Sequence, residues 1–420
     1  MKQPFDRRVG GALAVVTMML GTGACAAQQG GAQDSGTSVE AGATKAEYIE
    51  AMKDLEPIEF VMQSLNPKGD NNSIPLEDYA AALEEWSGGK IQPKIAYSSS
   101  IASAAETGEA LADGRVDFAR HTPVYEPEEY PDNNRLVDLS IQGGRKPVTD
   151  WLQRVGAFNQ VGLEDESITA EFEDHGLKPA LPVWKPTPAT VLACTEEPAV
   201  TLEDMKGLTA RATGPIHVEQ LEALGITPSG LDIAEIYEGL QRGVIDCGEM
   251  ALSTAQVSGV LDVANQISYG TEVGFADSGA AMSFSQSFWD EAPLVVRQLL
   301  WDRLDVFVES TLISSVDVEA EVIDTVRSNG GSFEAWDPAA EQVLAEFNEQ
   351  KLDELRGEDE ELVGSVEEGM ETWASVVSES GVTDNGAYAD LPEWHDSVTP
   401  SLKVFAQRFN EDVLQPLRPE

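Results

Sequence analysis

The chain has 420 residues, of which 42% are hydrophobic and 24% are charged, a globular composition long enough for two packed domains. Its 74 Asp and Glu residues against 27 Lys and Arg residues give a net charge of -47. Because such a charge repels nucleic-acid phosphates and anionic lipid headgroups, the composition argues against nucleic acid as a partner.

The first 25 residues are typical of an export signal. A basic start that contains Arg7 and Arg8 is followed by the apolar run Val9–Leu20, which is too short to span a bilayer. Small residues then lead to Cys25, and this arrangement resembles a bacterial lipobox, whose cysteine is acylated after cleavage. Thr22 departs from the Leu or Val that a lipobox prefers at this position. The alternative is ordinary cleavage after Ala24-Cys25-Ala26, which leaves a soluble protein.

Residues 26–44 are small, polar and rich in glycine. Such a stretch cannot bury enough apolar area to fold, and it predicts a flexible tether between an anchor and the folded body.

Beyond the tether, short apolar runs alternate with stretches of helical period. The predicted strands are Ile58–Met62, Ile91–Tyr97, Val116–Ala119, Val183–Ala193, Leu208–Arg211 and Val244–Cys247. Helices are predicted from Thr44, from Pro75 to Gly88, from His217 to Leu224 and from Ala234 to Arg242. This alternation predicts an α/β fold with crossover units and a largely parallel sheet.

Two of these units are similar, since each runs from a helix through a glycine to a short strand with Asp, at Gly114–Asp117 and Gly243–Asp246. A longer helical pattern, Ala292–Ser328, exceeds the usual helix length and predicts a bridge between two domains. Past Pro338 the chain is acidic and helical to about residue 380, and Asp353–Glu371 is interpreted as a solvated acidic face.

Residues that carry chemistry are few. Beyond Cys25 only Cys194 and Cys247 remain, and this even number in an exported chain predicts either a disulfide or two buried free thiols. The four histidines show no metal-ligand spacing, and neither a phosphate-binding loop nor a nucleophile motif is present in the sequence. We therefore predict no catalytic residue, no metal and no cofactor, and we expect that the protein is not an enzyme.

The segment Thr201–Met250 resembles the core signature of the DctP-type substrate-binding proteins of tripartite ATP-independent periplasmic (TRAP) transporters. The residues in register with that signature are Asp204, Lys206, Gly207, Leu208, Arg211, Ala223, Leu224, Gly225, Glu235, Tyr237, Leu240, Gly243 and Asp246. Further similar segments are Ser87–Ile91, Asp113–Asp117, Tyr125–Pro127 with Tyr130-Pro131, and Gln286–Trp289, so that the resemblance covers roughly residues 55–350. Two departures are Glu249-Met250, where the family often has an Asn near the ligand, and a longer C-terminal tail.

The resemblance implies an α/β, two-lobed periplasmic-binding-protein-like fold, with mixed sheets flanked by helices and a long helix bridging the lobes. The expected division is signal peptide and lipobox 1–25, tether 26–44, lobe I 45–186 plus 275–315, lobe II with the bridging helix 187–274 plus 316–350, and an acidic helical C-terminal extension 351–420.

Arg211 matches the family's ligand-binding arginine. A planar guanidinium donates two parallel hydrogen bonds to a carboxylate, and closure of the lobes would remove that pair from water. The small residues Ala210, Ala212, Thr213 and Gly214 leave room beside it. The alternative is a surface or structural ion pair.

Five weaker candidates accompany Arg211. Arg120 and His121 follow a predicted strand, and strand ends on open α/β sheets face the binding crevice. Trp184 could stack on a ligand, although a core or hinge role is the alternative. Ile233 and Met250 stand where family members place cleft residues, and both are apolar.

Together, the amino-terminal signal and the resemblance predict an exported, lipid-anchored solute-binding protein in the periplasm or on the outer face of the cytoplasmic membrane. It would capture a small organic acid by lobe closure and deliver it to the membrane subunits of a TRAP transporter. The alternative is a ligand-sensing lipoprotein of a signalling receptor, and an extracellular hydrolase has no residue support.

Overall fold

The computed structural model describes residues 37–184 and 188–420. The predicted signal peptide with Cys25 and most of the predicted tether lie outside the described residues. Within the described ranges, every helix is either too short or too polar to cross a membrane.

The described residues form two mixed sheets. The strands are β1 (Ile58–Gln63), β2 (Ile91–Ala96), β3 (Phe118–His121), β4 (Leu177–Leu181), β5 (Thr190–Cys194), β6 (Thr209–Arg211), β7 (Thr227–Ser229), β8 (Cys247–Ala251), β9 (Gln266–Tyr269), β10 (Ala281–Ser285) and β11 (Ser332–Ala335). The first sheet has the order β2-β1-β3-β10-β4, and the second has the order β11-β9-β5-β8-β6-β7. We call each sheet, with the helices packed on it, the first and the second lobe.

Helices flank both sheets. They are α1 (Lys45–Met52), α2 (Ile74–Trp86), α3 (Thr107–Ala112), α4 (Pro131–Asp138), α5 (Thr149–Glu164), α6 (Glu166–Asp174), α7 (Leu202–Met205), α8 (Pro215–Ala223), α9 (Ile236–Gln241), α10 (Leu252–Val257), α11 (Gln286–Glu291), α12 (Leu294–Asp302), α13 (Leu304–Ser328), α14 (Pro338–Glu358), α15 (Glu360–Glu379), α16 (Leu391–Trp394) and α17 (Thr399–Phe409).

The predicted pair of similar units has the same joint in each lobe. In the first, Asp117 donates its backbone N–H to the Val61 carbonyl, and its carboxylate accepts the Val61 N–H, both at 2.7 Å. In the second, Asp246 forms the same two bonds with Thr209, again at 2.7 Å. Each aspartate therefore fixes the start of one parallel strand against its neighbour, so that both strands run toward the same edge.

Three predictions of secondary structure were wrong. The run Val183–Ala193 is not one strand, because Leu177–Leu181 and Thr190–Cys194 belong to different sheets and the chain crosses between the lobes there. The strand predicted at Val244–Cys247 begins only at Cys247, since Val244 is an exposed turn residue. The sheets are mixed, as the resemblance implied, and not largely parallel as the alternation predicted, because β10 and β5 run antiparallel to both of their neighbours.

The predicted long helix is present but broken. It divides at Arg303 into α12 and α13, and the 25 residues of α13 form the bridge. In the first lobe α13 packs on α2, and in the second it packs on α10 and β11. Aromatic rings fill the space between the first sheet and α13, with Phe118 at 4.6 Å from Phe284 and 5.8 Å from Phe307 between ring centroids.

The C-terminal helices wrap back over both lobes. Helix α15 packs on α5 of the first lobe, α14 packs on α8 of the second, and α17 lies along α13. The acidic segment Asp353–Glu371 is therefore only partly a solvated face, because one side of it is buried, at Leu355, Leu362, Val363, Val366 and Met370. At the end of the chain, Arg418 Nε donates to Asp302 Oδ1 at 2.8 Å and fastens the tail to α12.

We predict that Gly156→Ala destabilises the protein at the contact between α5 and α15. A Cβ atom at Gly156 would lie 2.0 Å from Cδ2 of the buried Trp373, so the indole would have to move. We expect the free energy of unfolding, measured by urea denaturation, to fall by about 1–3 kcal/mol. The control is Gly364→Ala on α15, where nothing lies within 4 Å of the added methyl group. That variant should match or exceed the wild-type stability, since alanine favours a helix over glycine. Equal stability of the Gly156 variant would contradict the packing.

Candidate functional site

A cavity of about 330 Å³ lies between the two lobes. Its walls come from the ends of β1 and β3 and from α2 in the first lobe, from α10 in the second lobe, and from α13. The crevice outside the carboxyl ends of strands is where open α/β sheets bind ligands. The volume falls at the lower end of the range of small-molecule sites, about 300–1,000 Å³.

The lining combines an apolar wall with many neutral polar groups. The apolar members include Leu65, Pro75, Leu76, Trp184, Ile233, Val257, Met282 and Phe307. The neutral polar members include Gln63, Ser64, Asn66, Asn71, Asn72, Thr122, Tyr125, Ser253, Thr254, Ser258, Thr311, Ser314 and Ser315. Within the described ranges, Arg120 is the only Lys or Arg in this lining, and no Asp or Glu belongs to it.

Arg120 reaches the cavity from β3. It stands opposite Met282 of β10 in the antiparallel register, and both residues line the cavity. Its Nε atom is buried and has no hydrogen-bond partner among the described residues. Burial lowers the pKa of Arg120, and the nearby Tyr125 hydroxyl partly opposes that shift. A buried guanidinium whose Nε has no hydrogen-bond partner can donate hydrogen bonds to an anionic ligand.

Arg211 is not among the residues that line the cavity, but it contacts Tyr125, which does. Arg211 is the last residue of β6 in the second lobe, and it is only 3% exposed. Its Cζ atom lies 6.0 Å from the centroid of the Tyr125 ring, which comes from the first lobe and lines the cavity. The Tyr125 ring therefore contacts both the cavity and the Arg211 guanidinium, and this contact joins the two lobes.

Neutral groups hold the Arg211 guanidinium in place. Nη1 donates to Thr213 Oγ1 at 2.8 Å, and Nε donates to the Leu231 carbonyl at 3.4 Å. The buried Glu249 carboxylate accepts the Thr213 N–H at 2.8 Å instead of pairing with the arginine. Among the described residues, no carboxylate forms an ion pair with Arg211, and this argues against the structural ion pair that was the alternative.

Trp184 and Ile233 both line the cavity, from opposite lobes. Trp184 is 2% exposed and packs between Phe307 and Phe409, at centroid distances of 6.0 and 6.4 Å. It thus belongs to the core as well as to the wall. Ile233 is half-buried in a short 3-10 turn before α9.

The structure places two of the predicted residues away from the cavity. Successive side chains of a strand point to opposite faces, so His121 lies on the other side of β3 from Arg120. There its Nε2 atom lies 3.0 Å from Ser283 Oγ, and its ring packs against Phe172. Met250 is 1% exposed and folds inward over Gly248, whose missing side chain leaves room for the thioether.

Several cavity residues escaped the sequence analysis. Tyr125 was part of a recognised segment, but nothing in that segment indicated that its ring would cover Arg211. The hydroxyls of Thr311, Ser314 and Ser315 lie on a helix interpreted only as a bridge, and their spacing along one helical face was the available signal. Ser253 and Thr254 open α10 directly after β8, where the rule for strand ends could have found them.

The two cysteines meet in the second sheet. Cys194 of β5 and Cys247 of β8 are paired in the antiparallel register and joined by a disulfide, with a Cα–Cα distance of 4.1 Å. The bond lies in the core of the second lobe rather than at the cavity. The described residues contain no cluster of three His, Cys, Asp or Glu side chains able to hold a metal ion.

A family model described as bacterial extracellular solute-binding protein, family 7 (DctP) matches residues 62–358. Helices α15 to α17 lie beyond that match. The ectoine-binding periplasmic protein TeaA of Halomonas elongata is 25% identical over 213 residues, which are 48% of this chain and 59% of TeaA. The chain thus spans less than two thirds of that relative.

Two solved structures share the fold. One is a TRAP periplasmic solute-binding protein of Chromohalobacter salexigens with bound d-glucuronate, at a TM-score of 0.63 and 18% identity, covering 74% of this chain and 99% of that one. The other is a marine metagenome TRAP solute-binding protein specific for aromatic acid ligands, in complex with 3-hydroxybenzoate. Its TM-score is 0.64 at 14% identity, covering 76% of this chain and 99% of that one.

We predict that the buried His121 makes the protein less stable in acid. Burial lowers the pKa of His121 to about 3, against 6.5 for the free side chain. Below pH 6.5 the unfolded chain takes up a proton that the folded chain refuses, so stability falls as the pH falls. We expect His121→Gln to remove about 1.4 kcal/mol per pH unit of that decline between about pH 6.5 and 4. Urea unfolding of both proteins across this range measures the difference, and parallel stability curves would contradict it. The comparison at neutral pH, where both side chains are uncharged, serves as the reference.

Proposed function

The chain belongs to the DctP family of bacterial extracellular solute-binding proteins, family 7, and from this premise we propose that it captures a small organic acid and delivers it to a TRAP-type transporter. The proposed role is binding without turnover. One observation supports it above the others. In a chain of net charge -47, the described lining of the interlobe cavity contains one arginine and no carboxylate. Such a site attracts an anion that the rest of the protein repels.

We propose that Arg211 and Arg120 together bind the carboxylate of the ligand. They belong to opposite lobes, and Tyr125 lies beside both of them. A carboxylate that reaches both guanidiniums would connect the lobes, and its binding would favour the closed arrangement. A shift of the Tyr125 ring would open the way from the cavity to Arg211. Trp184 and Ile233 would then contact the body of the ligand.

The proposed place of action follows from the family and from the amino terminus. The family is one of bacterial extracellular proteins. The basic start, the apolar run and Cys25 of this chain support export followed by lipid anchoring. Our proposal therefore places the protein in the periplasm or on the outer face of the cytoplasmic membrane, next to the membrane subunits of the transporter. The alternative of a sensing lipoprotein finds no support in the comparisons.

We predict that Arg211→Ala weakens the binding of the carboxylate. Removal of one member of a buried, charge-assisted pair costs 2–5 kcal/mol, so the Kd of whichever acid the wild type binds should rise at least about thirtyfold. A thermal-shift screen of carboxylates identifies that acid, and calorimetric titration then measures both proteins. Arg242→Ala is the matched control, since Arg242 is an exposed arginine of the second lobe that pairs with Glu238. An unchanged Kd in the Arg211 variant would remove this residue from the site.

We predict that Cys25 carries the membrane anchor. Cells that express the wild type should hold the protein in the membrane fraction, and Cys25→Ser should release it into the soluble exported fraction because the acylated thiol is lost. Metabolic labelling with palmitate, followed by immunoprecipitation, tests the modification directly. Cys194→Ser is the control, because it also replaces a cysteine but leaves Cys25 in place. This variant should stay in the membrane fraction. Label on the Cys25 variant would contradict the prediction.

A further inference from the structure

The lining of the cavity bears on whether a ligand can carry a cationic group in addition to its carboxylate. Each described lining residue other than Arg120 is uncharged at neutral pH, although the chain has 74 acidic residues. Neither the two lobes nor α13 therefore contribute a carboxylate to the described lining. An amino acid or another zwitterion would bring an ammonium group into this space. That ammonium would find no carboxylate in the described lining and would lie near an unpaired guanidinium.

From this we infer that the cavity takes a hydroxycarboxylate that carries no cationic group, and that it rejects the zwitterion of the same shape. The inference rests on the proposed capture of an organic acid and narrows its substrate class. A buried charge without a partner is strongly disfavoured, whereas a carboxylate at Arg120 replaces the water lost on burial with charge-assisted hydrogen bonds.

The aromatic rings of the cavity wall offer little support to a cationic ligand. The Tyr125 ring already has the Arg211 guanidinium 6.0 Å from its centroid. Trp184 and Phe307 lie in the cavity wall, and a ring face attracts a cation. However, Trp184 is 2% exposed and Phe307 is 4% exposed, because the two rings pack against each other in the core. Little of either face is open to a ligand, so these residues offer an apolar contact rather than a cage for a cation.

The hydroxyl part of the inference comes from the neutral polar wall. Ser253 is buried on α10, while Ser314 and Ser315 lie on α13, and all three line the cavity. Among the described residues, their hydroxyls have no hydrogen-bond partner, in contrast to Thr311, whose hydroxyl donates to the Phe307 carbonyl at 2.8 Å. A hydroxyl can both donate and accept, so these serines suit the hydroxyl groups of a ligand. A purely aliphatic acid would leave them without partners.

The test uses pairs of acids that differ only in the replacement of a hydroxyl by an amino group. The pairs are mandelate with phenylglycine, lactate with alanine, and gluconate with 2-amino-2-deoxygluconate. Calorimetric titration at neutral pH, on the full exported chain, measures the six Kd values. We expect at least one hydroxy acid to bind, and its amino counterpart to bind at least about thirtyfold more weakly.

A variant pair identifies the source of the preference. Arg120→Gln should weaken the bound hydroxy acid by at least about thirtyfold, since the anchoring cation is lost. Arg115→Gln is the control, because Arg115 is an exposed arginine of the same lobe that pairs with Asp113. Thermal unfolding without ligand shows whether the Arg120 variant is folded, and a wild-type affinity in a folded Arg120 variant would overturn the role of that residue.

Each outcome of the panel has a separate meaning. Equal affinity for both members of a pair, or binding of the amino members alone, would overturn the inference and leave the capture of an organic acid standing. Failure of every hydroxy acid while an acid without a hydroxyl, such as phenylacetate, binds would also overturn it. If no carboxylate binds at all, both the inference and the proposed function fail.

Discussion

The proposed site depends on two guanidiniums that form no ion pair with a described residue, inside a strongly acidic protein. Arginine at a surface with 74 acidic residues in the chain would ordinarily find a carboxylate, and many do, as Arg115, Arg356 and Arg408 show. Arg211 forms no such pair because the neighbouring carboxylate of Glu249 accepts the Thr213 N–H instead, and Arg120 forms none because the described lining contains no acid. Neutral groups compensate the burial of Arg211 only in part, and no described carboxylate neutralises either charge, so an anionic ligand would stabilise both of them.

The same unpaired charges would be useless without a frame that brings them to one place. The aspartate joints of Asp117 and Asp246 align a pair of strands in each lobe, and Arg120 on β3 and Arg211 on β6 each belong to such a pair. The segment between β9 and β10 connects the two lobes, and it is hydrogen-bonded to each of them. The Ala276 N–H donates to Gln220 Oε1 of the second lobe at 2.9 Å, and the Asp277 N–H donates to Ser140 Oγ of the first lobe at 2.7 Å. One of the segments that connect the lobes is therefore hydrogen-bonded to both of them.

Much of this could be predicted from the sequence where local signals and tertiary context agree. The capping residue Thr44, the glycines after α2 and the Gly-Asp units predicted elements that the structure contains. The strand-end rule also placed Arg120 at the cavity. It failed for His121, because one residue along a strand reverses the side chain and the register was unknown. The position of the Tyr125 ring over Arg211 could not be predicted, since it depends on how two lobes approach each other.

The C-terminal helices add a constraint that the sequence concealed. Their acidity suggested solvent, yet their apolar sides pack on α5, α8 and α13, which belong to both lobes and to the bridge. Tyr388 contacts Tyr269 and Phe333 of the second sheet, while Arg418 fastens the end of the chain to the first lobe. A segment fastened to both lobes has to deform when they separate. Its packing therefore favours the arrangement in which Tyr125 covers Arg211, and a ligand that needs the lobes to part must overcome these contacts as well as the contacts at the site.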